Sequence, residues 1–354
     1  MTTAVGTEAK VAIKKSAAAW AAAGALGADN RLAFVSSGVT PTNEYLDDDD
    51  LNDSGGRGIS NLVSTSVGGP LVINGDYRQP PDMLLAAMLM GAAGVPTESP
   101  PDVFLHVMKI QNNINGLYLH YGIDWAAIAG ATWQYHSVKP GSRLIALPSS
   151  GKMVETYSLL GAGVTKGEDS SAWDYEVDPT DGGTIRVLHR HHVLRSNDQA
   201  GGALGSSDEQ AATSIEIEIT RNLGSDFTSG GELDEPVKED FWRVELRVSF
   251  FGASAERLDL YRAAYDNATT LKADLVLDSG RLIPTTAVNY SRSFYFPKLR
   301  VIDAPLVVDG PGPLSFSVTM TAHQAASDPT GFPTGYVEAI IEEWTNDFAT
   351  DPLA

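Results

Sequence analysis

A period of two constrains this chain more than any other feature. Between Thr213 and Asn222 (TSIEIEITRN), Ile215, Ile217 and Ile219 alternate with Glu216, Glu218 and Thr220. From Phe241 to Phe251, Trp242, Val244, Leu246, Val248 and Phe250 alternate with Arg243, Glu245, Arg247 and Ser249. Successive side chains of an extended backbone point to opposite faces. Such runs therefore predict strands with one apolar face and one face that is solvated or meets a wet surface. Leu271–Asp278, Val288–Ile302, Leu314–His323 and Tyr336–Trp344 read the same way, and Leu314, Phe316, Val318, Met320 and Ala322 form an inward set. The expected fold class is mainly β, a β-sandwich with one or two short flanking helices.

Two helices interrupt the strands. Ser254 is the expected N-cap of one, with Glu256 in its first turn and Leu258, Tyr261, Ala264 and Tyr265 as its apolar stripe. The other runs over Pro80–Met90, after a strand at Pro70–Asn74 and a turn at Gly75–Gln79. Pro80 and Pro81 open it and Gly91 closes it. Strand, turn and helix thus occur twice, roughly 175 residues apart when Val72 is set against Val248. Residue identity between the copies is poor, so this is a pseudo-repeat. The segment Asp102–Leu194 is less regular, with short apolar runs (Leu117–Tyr121, Ala126–Trp133, Leu144–Leu147, Ile185–Leu188) between Gly and Pro. The domain reading is an Ala-rich N-terminal arm over 1–30, a sandwich over 31–346 and a C-terminal tail over 347–354. Residues 102–209 are either an insertion or part of the sandwich.

Charge and cysteine content narrow the function. With 45 acidic and 25 basic residues the formal charge is −20, which argues against phosphate-backbone binding as the main task. The absence of cysteine excludes disulfides, a thiolate nucleophile and thiolate-held metals. No run of about 18 apolar residues predicts a membrane span. Ala9–Ala28 has the charge order of a secretory signal, with Lys10, Lys14 and Lys15 before an Ala-rich run. Alanine is a poor signal-core residue, so a helical arm packing on a neighbour is the preferred reading.

Asp47–Asp50, Asp53 and their Gly/Ser neighbours make the most polar stretch. Asp50, Asn52, Ser54 and Gly55 partly match a calcium loop, but Asn61 stands where the bidentate Glu belongs, so an acidic loop is the better reading. His189 and His191 would share a strand face and offer two metal ligands, though strand-end residues are the favoured reading. Glu342 and Glu343 are adjacent and point opposite ways. Glu216 and Glu218 share a face and read as an exposed polar surface. Without a phosphate loop, an HExxH helix or a GxSxG elbow, no catalytic residue, cofactor or metal is assigned, and the expectation is a protein that is not an enzyme.

The order of elements carries a resemblance. An extended stretch (Arg31–Val39) and a long polar loop precede a strand, Gly75 and a helix of small residues ending in Gly91 (NGDYRQPPDMLLAAMLMG). Later come an Ile/Glu strand ending in Arg221–Asn222–Leu223, a strand–turn–helix, Phe294–Val301 (FYFPKLRV), a Gly/Pro turn, an alternating strand and a last one reaching Thr345–Asn346 (EEWTN). This succession, over most of Arg31–Asn346, resembles the tail tube proteins (major tail proteins) of long-tailed bacteriophages.

The resemblance implies a structural subunit of the virion tail, assembled in the bacterial host cytoplasm. Its inner sheet would join those of its neighbours into a multi-subunit barrel, in rings stacked as a tube that conducts DNA during ejection. Implied partners are other copies of the chain, the tape measure, distal tail and terminator proteins, and double-stranded DNA in transient, non-specific passage; no membrane is implied. Rings of six chains are the expectation, with three if each supplies eight inner strands. Twenty-four strands at about 4.8 Å spacing, tilted roughly 40°, close a barrel about 48 Å across at the backbone. Glu216, Glu218 and Glu245 are the candidates for an acidic lumen that repels phosphate. Asp47, Asp48, Asp49, Asp50 and Asp53 are the candidates to dock on Lys10, Lys14 and Lys15 of the next ring. The alternatives are another phage β-sandwich, such as a decoration or tail-completion protein, and a carbohydrate-binding β-sandwich using Trp125, Trp133 and Trp173.

Overall fold

The computed structural model describes residues 8–17, 19–47, 60–112, 116–125, 131–178, 183–231, 233–252, 254–305 and 316–354. The chain is mainly β, as its alternation predicts. Ala212–Thr220 buries Ile215, Ile217 and Ile219 and leaves Glu216 and Glu218 half-exposed. Arg243–Phe250 likewise buries Val244, Leu246, Val248 and Phe250.

Two long strands organise the rest. Thr132–Leu147 pairs through its first half with Leu119–Asp124 and Gly163–Lys166, and through its second half with Val154–Gly161. Asn289–Asp303 repeats the arrangement. It pairs with Thr270–Leu282 and, on its other edge, first with Ile341–Asn346 and then with Phe316–Ala322. Each long strand thereby serves two sheets.

The correspondence extends strand by strand through both halves of the chain. Lys10–Lys15 pairs with Arg31–Leu32 and Leu119–Asp124, as His192–Asp198 pairs with Glu209–Gln210 and Thr270–Leu282. Ser60–Asn74 lies between Val154–Gly161 and the Ser36–Ser37 and Thr40–Asp47 segments; Arg243–Phe250 lies between Phe316–Ala322 and Ala212–Thr220. Matching buried faces fixes the register. Leu71 is opposite Tyr157 as Val248 is opposite Val318, and Trp133 is opposite Ile123 as Phe294 is opposite Leu275. The pseudo-repeat is thus a structural duplication, and Val248 takes the place of Leu71. Setting it against Val72 puts the match one residue out of step, which would turn every side chain to the wrong face.

This duplication corrects the domain reading. Lys10–Lys15 is a sheet strand with Val11, Ala12 and Ile13 buried, not part of a helical arm. The stretch 102–209 is no insertion as a whole, because it supplies the long strand Thr132–Leu147 and opens the second repeat at His192. What the first repeat does insert is Thr97–Glu98 and Phe104–Lys109, and the latter pairs with Ile341–Asn346 of the second repeat.

The helix Pro80–Met90 forms as expected and ends at Gly91, whose φ of 106° suits glycine. It is apolar nearly all round and correspondingly buried, with Leu85 and Met88 in one core cluster and Met83, Ala86, Ala87, Leu89 and Met90 in the other. The helical stretch Ala255–Asn267 is capped by Ser254, which accepts a hydrogen bond from the Arg257 amide at 3.3 Å. Tyr261 and Ala264 are buried and Tyr265 is exposed.

Candidate functional site

A single hydrogen-bonded surface runs through both repeats, and its central joint is internal. Ile215–Thr220 of the second repeat pairs with Leu147–Ser142 of the first. Eight strands follow in order: Thr40–Asp47, Ser60–Asn74, Val154–Gly161, Thr132–Leu147, Ala212–Thr220, Arg243–Phe250, Phe316–Ala322 and Asn289–Asp303. Residues opposite one another share a face. One polar row therefore reads Val72, Thr156, Leu144, Glu218, Glu245, Thr321, Arg300. The next reads Asn74, Val154, Ala146, Glu216, Arg247, Thr319, Asp303.

Glu216, Glu218 and Glu245 do come together on this face, but not as an acidic wall. Arg247 reaches Glu218 at 2.8 Å, Glu245 at 2.7 Å and Glu216 at 3.8 Å, and Arg243 reaches Glu245 at 2.6 Å. Burial raises the Glu245 pKa, and Arg243 and Arg247 outweigh that and hold it below the ordinary carboxylate range. Arg300 lies on the same face. Three carboxylates thus meet two guanidiniums, with Arg300 in one row of the face and Asp303 in the next, so the expected acidic surface is locally offset. The alternation marked the face correctly; the arginines in the same phase offset much of its charge.

Behind the polar face lies a buried charge quartet. Arg143 binds Glu342 through Nη1 at 2.5 Å and Glu155 through Nε at 2.8 Å. Arg292 closes the ring on Glu155 at 2.7 Å and Glu342 at 2.8 Å. All four side chains are fully buried. Tyr157 and Trp344 donate to Glu155 and Glu342, and the Arg292 guanidinium lies 3.8 Å from the Trp344 ring centroid. Burial raises Glu155, but the two arginines pull it down to about 2. The quartet joins Arg143 and Glu155 of the first repeat to Arg292 and Glu342 of the second, so it is a clamp on the internal joint. Sequence reading missed it. The available signal was charge in the inward phase of a strand, as at Glu155 beside Tyr157 and Leu159 and at Arg143 beside Ile145 and Leu147.

The remaining candidates separate. His189 and His191 lie on a 3₁₀ turn and not on one strand face. Among the described residues no group of three or more His, Asp or Glu is placed to hold a metal ion. Glu342 and Glu343 do diverge: Glu342 is in the quartet, while Glu343 accepts hydrogen bonds from Tyr295 and Tyr336 on the other face. Trp125 and Trp133 pack edge to face with centroids 4.9 Å apart, Lys166 covers Trp133, and Trp173 is buried against Gly122.

Asp48, Asp49, Asp50 and Asp53 lie outside the described residues, and Asp47 ends a strand. Of the lysines set against them, Lys14 is exposed, Lys10 half-buried, and Lys15 donates to the Leu353 carbonyl. Among the described residues no helix is long and apolar enough to cross a membrane. No protein-family model and no curated protein matches this chain.

Proposed function

We propose that this protein is the structural subunit of a bacteriophage tail tube, as the resemblance in element order implies. The observation that carries the reading is the duplicated, eight-stranded surface with a polar face; among the described residues the outer edge of Thr40–Asp47 is unpaired, and that of Asn289–Asp303 is unpaired beyond Arg300. Open edges invite further strand pairing, and a closed barrel removes them. A sheet that continues from copy to copy would put its polar face around a central bore and its two cores and helices outside.

The offset charge of that face suits passage of a duplex by a different route from the acidic wall expected. Affinity for DNA comes from cations that replace condensed counterions. Arg243 and Arg247 are already occupied by Glu218 and Glu245, and much of the remaining face is Ser, Thr and Ala. Such a wall offers phosphates little to hold. The chain would act by shape, without catalysis or cofactor, in the virion tail.

Electron microscopy of the purified protein tests the reading. The expected result is hollow tubes of uniform bore. Compact particles with no axial hole under all assembly conditions would overturn it and favour a decoration or tail-completion protein. The carbohydrate-binding alternative has no supporting geometry, since its tryptophans are engaged with one another or buried.

A further inference from the structure

The two repeats share a β-bulge, and each sets a titratable side chain opposite its extra residue. Leu119 faces Val138 and Tyr121 faces Tyr135, so His120 stands against two residues, His136 and Ser137. In the second repeat Leu271 faces Leu299 and Ala273 faces Phe296, so Lys272 stands against Pro297 and Lys298. A bulge bends the ladder and re-aims the side chains beside it. His120 and Lys272 are both buried, and in each repeat the connection that follows the first strand reaches over the bulge. Lys272 is held there as a charge, donating to the Gly201 and Thr330 carbonyls at 2.9 Å each. Its counterpart is held differently.

Residues 19–28 cross the His120 ring, and Gly24 lies so close that a Cβ there would sit 1.9 Å from Nε2. The His136 ring packs edge to face on His120 with centroids 6.1 Å apart, and its Nε2 meets Thr165 Oγ1 at 2.6 Å. The Nδ1 atoms of both rings are buried without a partner. Lys14 faces His120 from the neighbouring strand, and Glu168 is the acidic group that acts on His136. Desolvation, His136 and Lys14 lower the pKa of His120; desolvation lowers that of His136 against the pull of Glu168. Charging either ring in place would bury a cation whose Nδ1 proton has no acceptor.

The segment above them is lightly held. Among the described residues its one backbone hydrogen bond to the sheet runs from the Ala21 amide to Ser137 Oγ at 2.9 Å, and both residues have left-handed backbone, with φ of 62° and 54°. Trp20 donates to the Leu233 carbonyl at 2.8 Å, and Leu26 seats against Gly122 beside Trp173. We propose that residues 19–28 are an acid-released flap, latched over the uncharged His120–His136 pair and freed when the two rings take up protons. Opening lets both imidazoles reach water and return to their ordinary value of 6.5. The latch is therefore at full strength above pH 6.5 and weakens as pH falls below it. Release uncovers the seat of Leu26, an apolar patch of Ala12, Gly122 and Trp173. The equivalent crossing at Lys272 is a charged hydrogen bond in the same pH range, so only the first repeat opens with acid.

Hydrogen exchange of the whole chain, read by mass spectrometry, tests the flap. With rates corrected for the intrinsic effect of pH, protection of residues 19–28 should fall about tenfold or more between pH 7.5 and 5.5, since each ring takes up a proton on opening. The equivalent connection, residues 199–204, should keep its protection over that range. His120→Gln/His136→Gln removes both titrating rings and should abolish the difference between the two pH values. Histidine proton NMR of the unaltered chain checks the same point without substitution, and both rings should titrate below pH 6.5. Protection of 19–28 that does not change with pH, an equal loss at 199–204, an undiminished acid response in the double variant, or either ring already charged at pH 7 would overturn the proposal. None of these readouts requires rings or tubes to form, so the flap stands or falls apart from the proposed tube.

Discussion

Arg143 and Glu342 stand 199 residues apart in sequence and meet at 2.5 Å with no access to solvent. Neither is buried alone, since Glu155 and Arg292 complete a neutral ring of two guanidiniums and two carboxylates. A buried ion pair is a weak source of net stability, but removing one member strands an uncompensated charge.

Arg143→Met should therefore destabilise the fold by about 3–5 kcal/mol. Arg143→Met/Glu342→Leu, which leaves Glu155 and Arg292 to neutralise each other, should recover a large part of that loss. Urea titration of the two variants and of Glu342→Leu gives the coupling. Additive losses would show that the four groups do not act as a unit.

Glu155 also sets an acid limit. Its folded pKa is about 2, below the ordinary value of 4.5, so its contribution is fully present above pH 4.5. Proton uptake by the unfolded chain erodes it as pH falls from there towards 2. Thermal unfolding from pH 6 to 2 should show the midpoint falling most steeply below 4.5. Glu155→Gln, measured against wild type, should flatten that part of the profile.

Asp82 has the opposite sign. Burial, reinforced by Glu155 and Asp76, pushes its pKa well above 3.8, and its Oδ2 has no hydrogen-bond partner. A raised carboxylate favours the folded state at low pH and costs stability as pH rises. Asp82→Asn should stabilise the protein by ~1–3 kcal/mol at pH 8 and change little at pH 4. Equal effects at both pH values would refute this account.

Gly69 occupies the position of Leu246 in the duplicated sheet, yet its φ is +143° and an added Cβ would lie 2.1 Å from the Gly38 carbonyl oxygen. Gly69→Ala should cost about 1–3 kcal/mol and speed hydrogen exchange selectively over Ser36–Asp47. Uniform exchange across the molecule would place the strain elsewhere.

Lys14 is the exposed member of the lysines set against the acidic loop for the contact between rings in the proposed tube. Lys14→Glu should shorten tubes and leave ring mass unchanged. Because exposed charges are screened, wild-type elongation should also weaken from 50 to about 500 mM salt. Tubes of normal length from the variant would exclude this pairing.

Alternation placed most strands of the second half within a few residues, because a half-buried sheet imposes its period on the chain; the last begins at Ile341 and not at Tyr336, and Leu314 lies outside the described residues. Pro80 and Gly91 bounded the first helix for equally local reasons. Lys10–Lys15 was missed because a short strand before an Ala-rich segment has no period long enough to see, and its buried character comes from pairing with Leu119–Asp124. The duplication was legible only as a spacing. Its halves share which faces are buried rather than which residues fill them: Pro41 stands where Ile219 does, and Gly69 where Leu246 does. Arg243 and Arg247 were legible as sharing the face of Glu245, but the pairing of Arg247 with Glu216 and Glu218 needed coordinates, since it joins two strands.

Joining two like halves by a covalent linker has a kinetic corollary. In the proposed tube every second seam of a ring would form at the high effective concentration of a tether, and the others would have to be found by diffusion. The quartet would hold only the tethered kind, since Ala304 and Phe316 occupy the places of Arg143 and Glu155. Such an assembly would come apart at alternate seams, releasing whole chains with their inner seams intact.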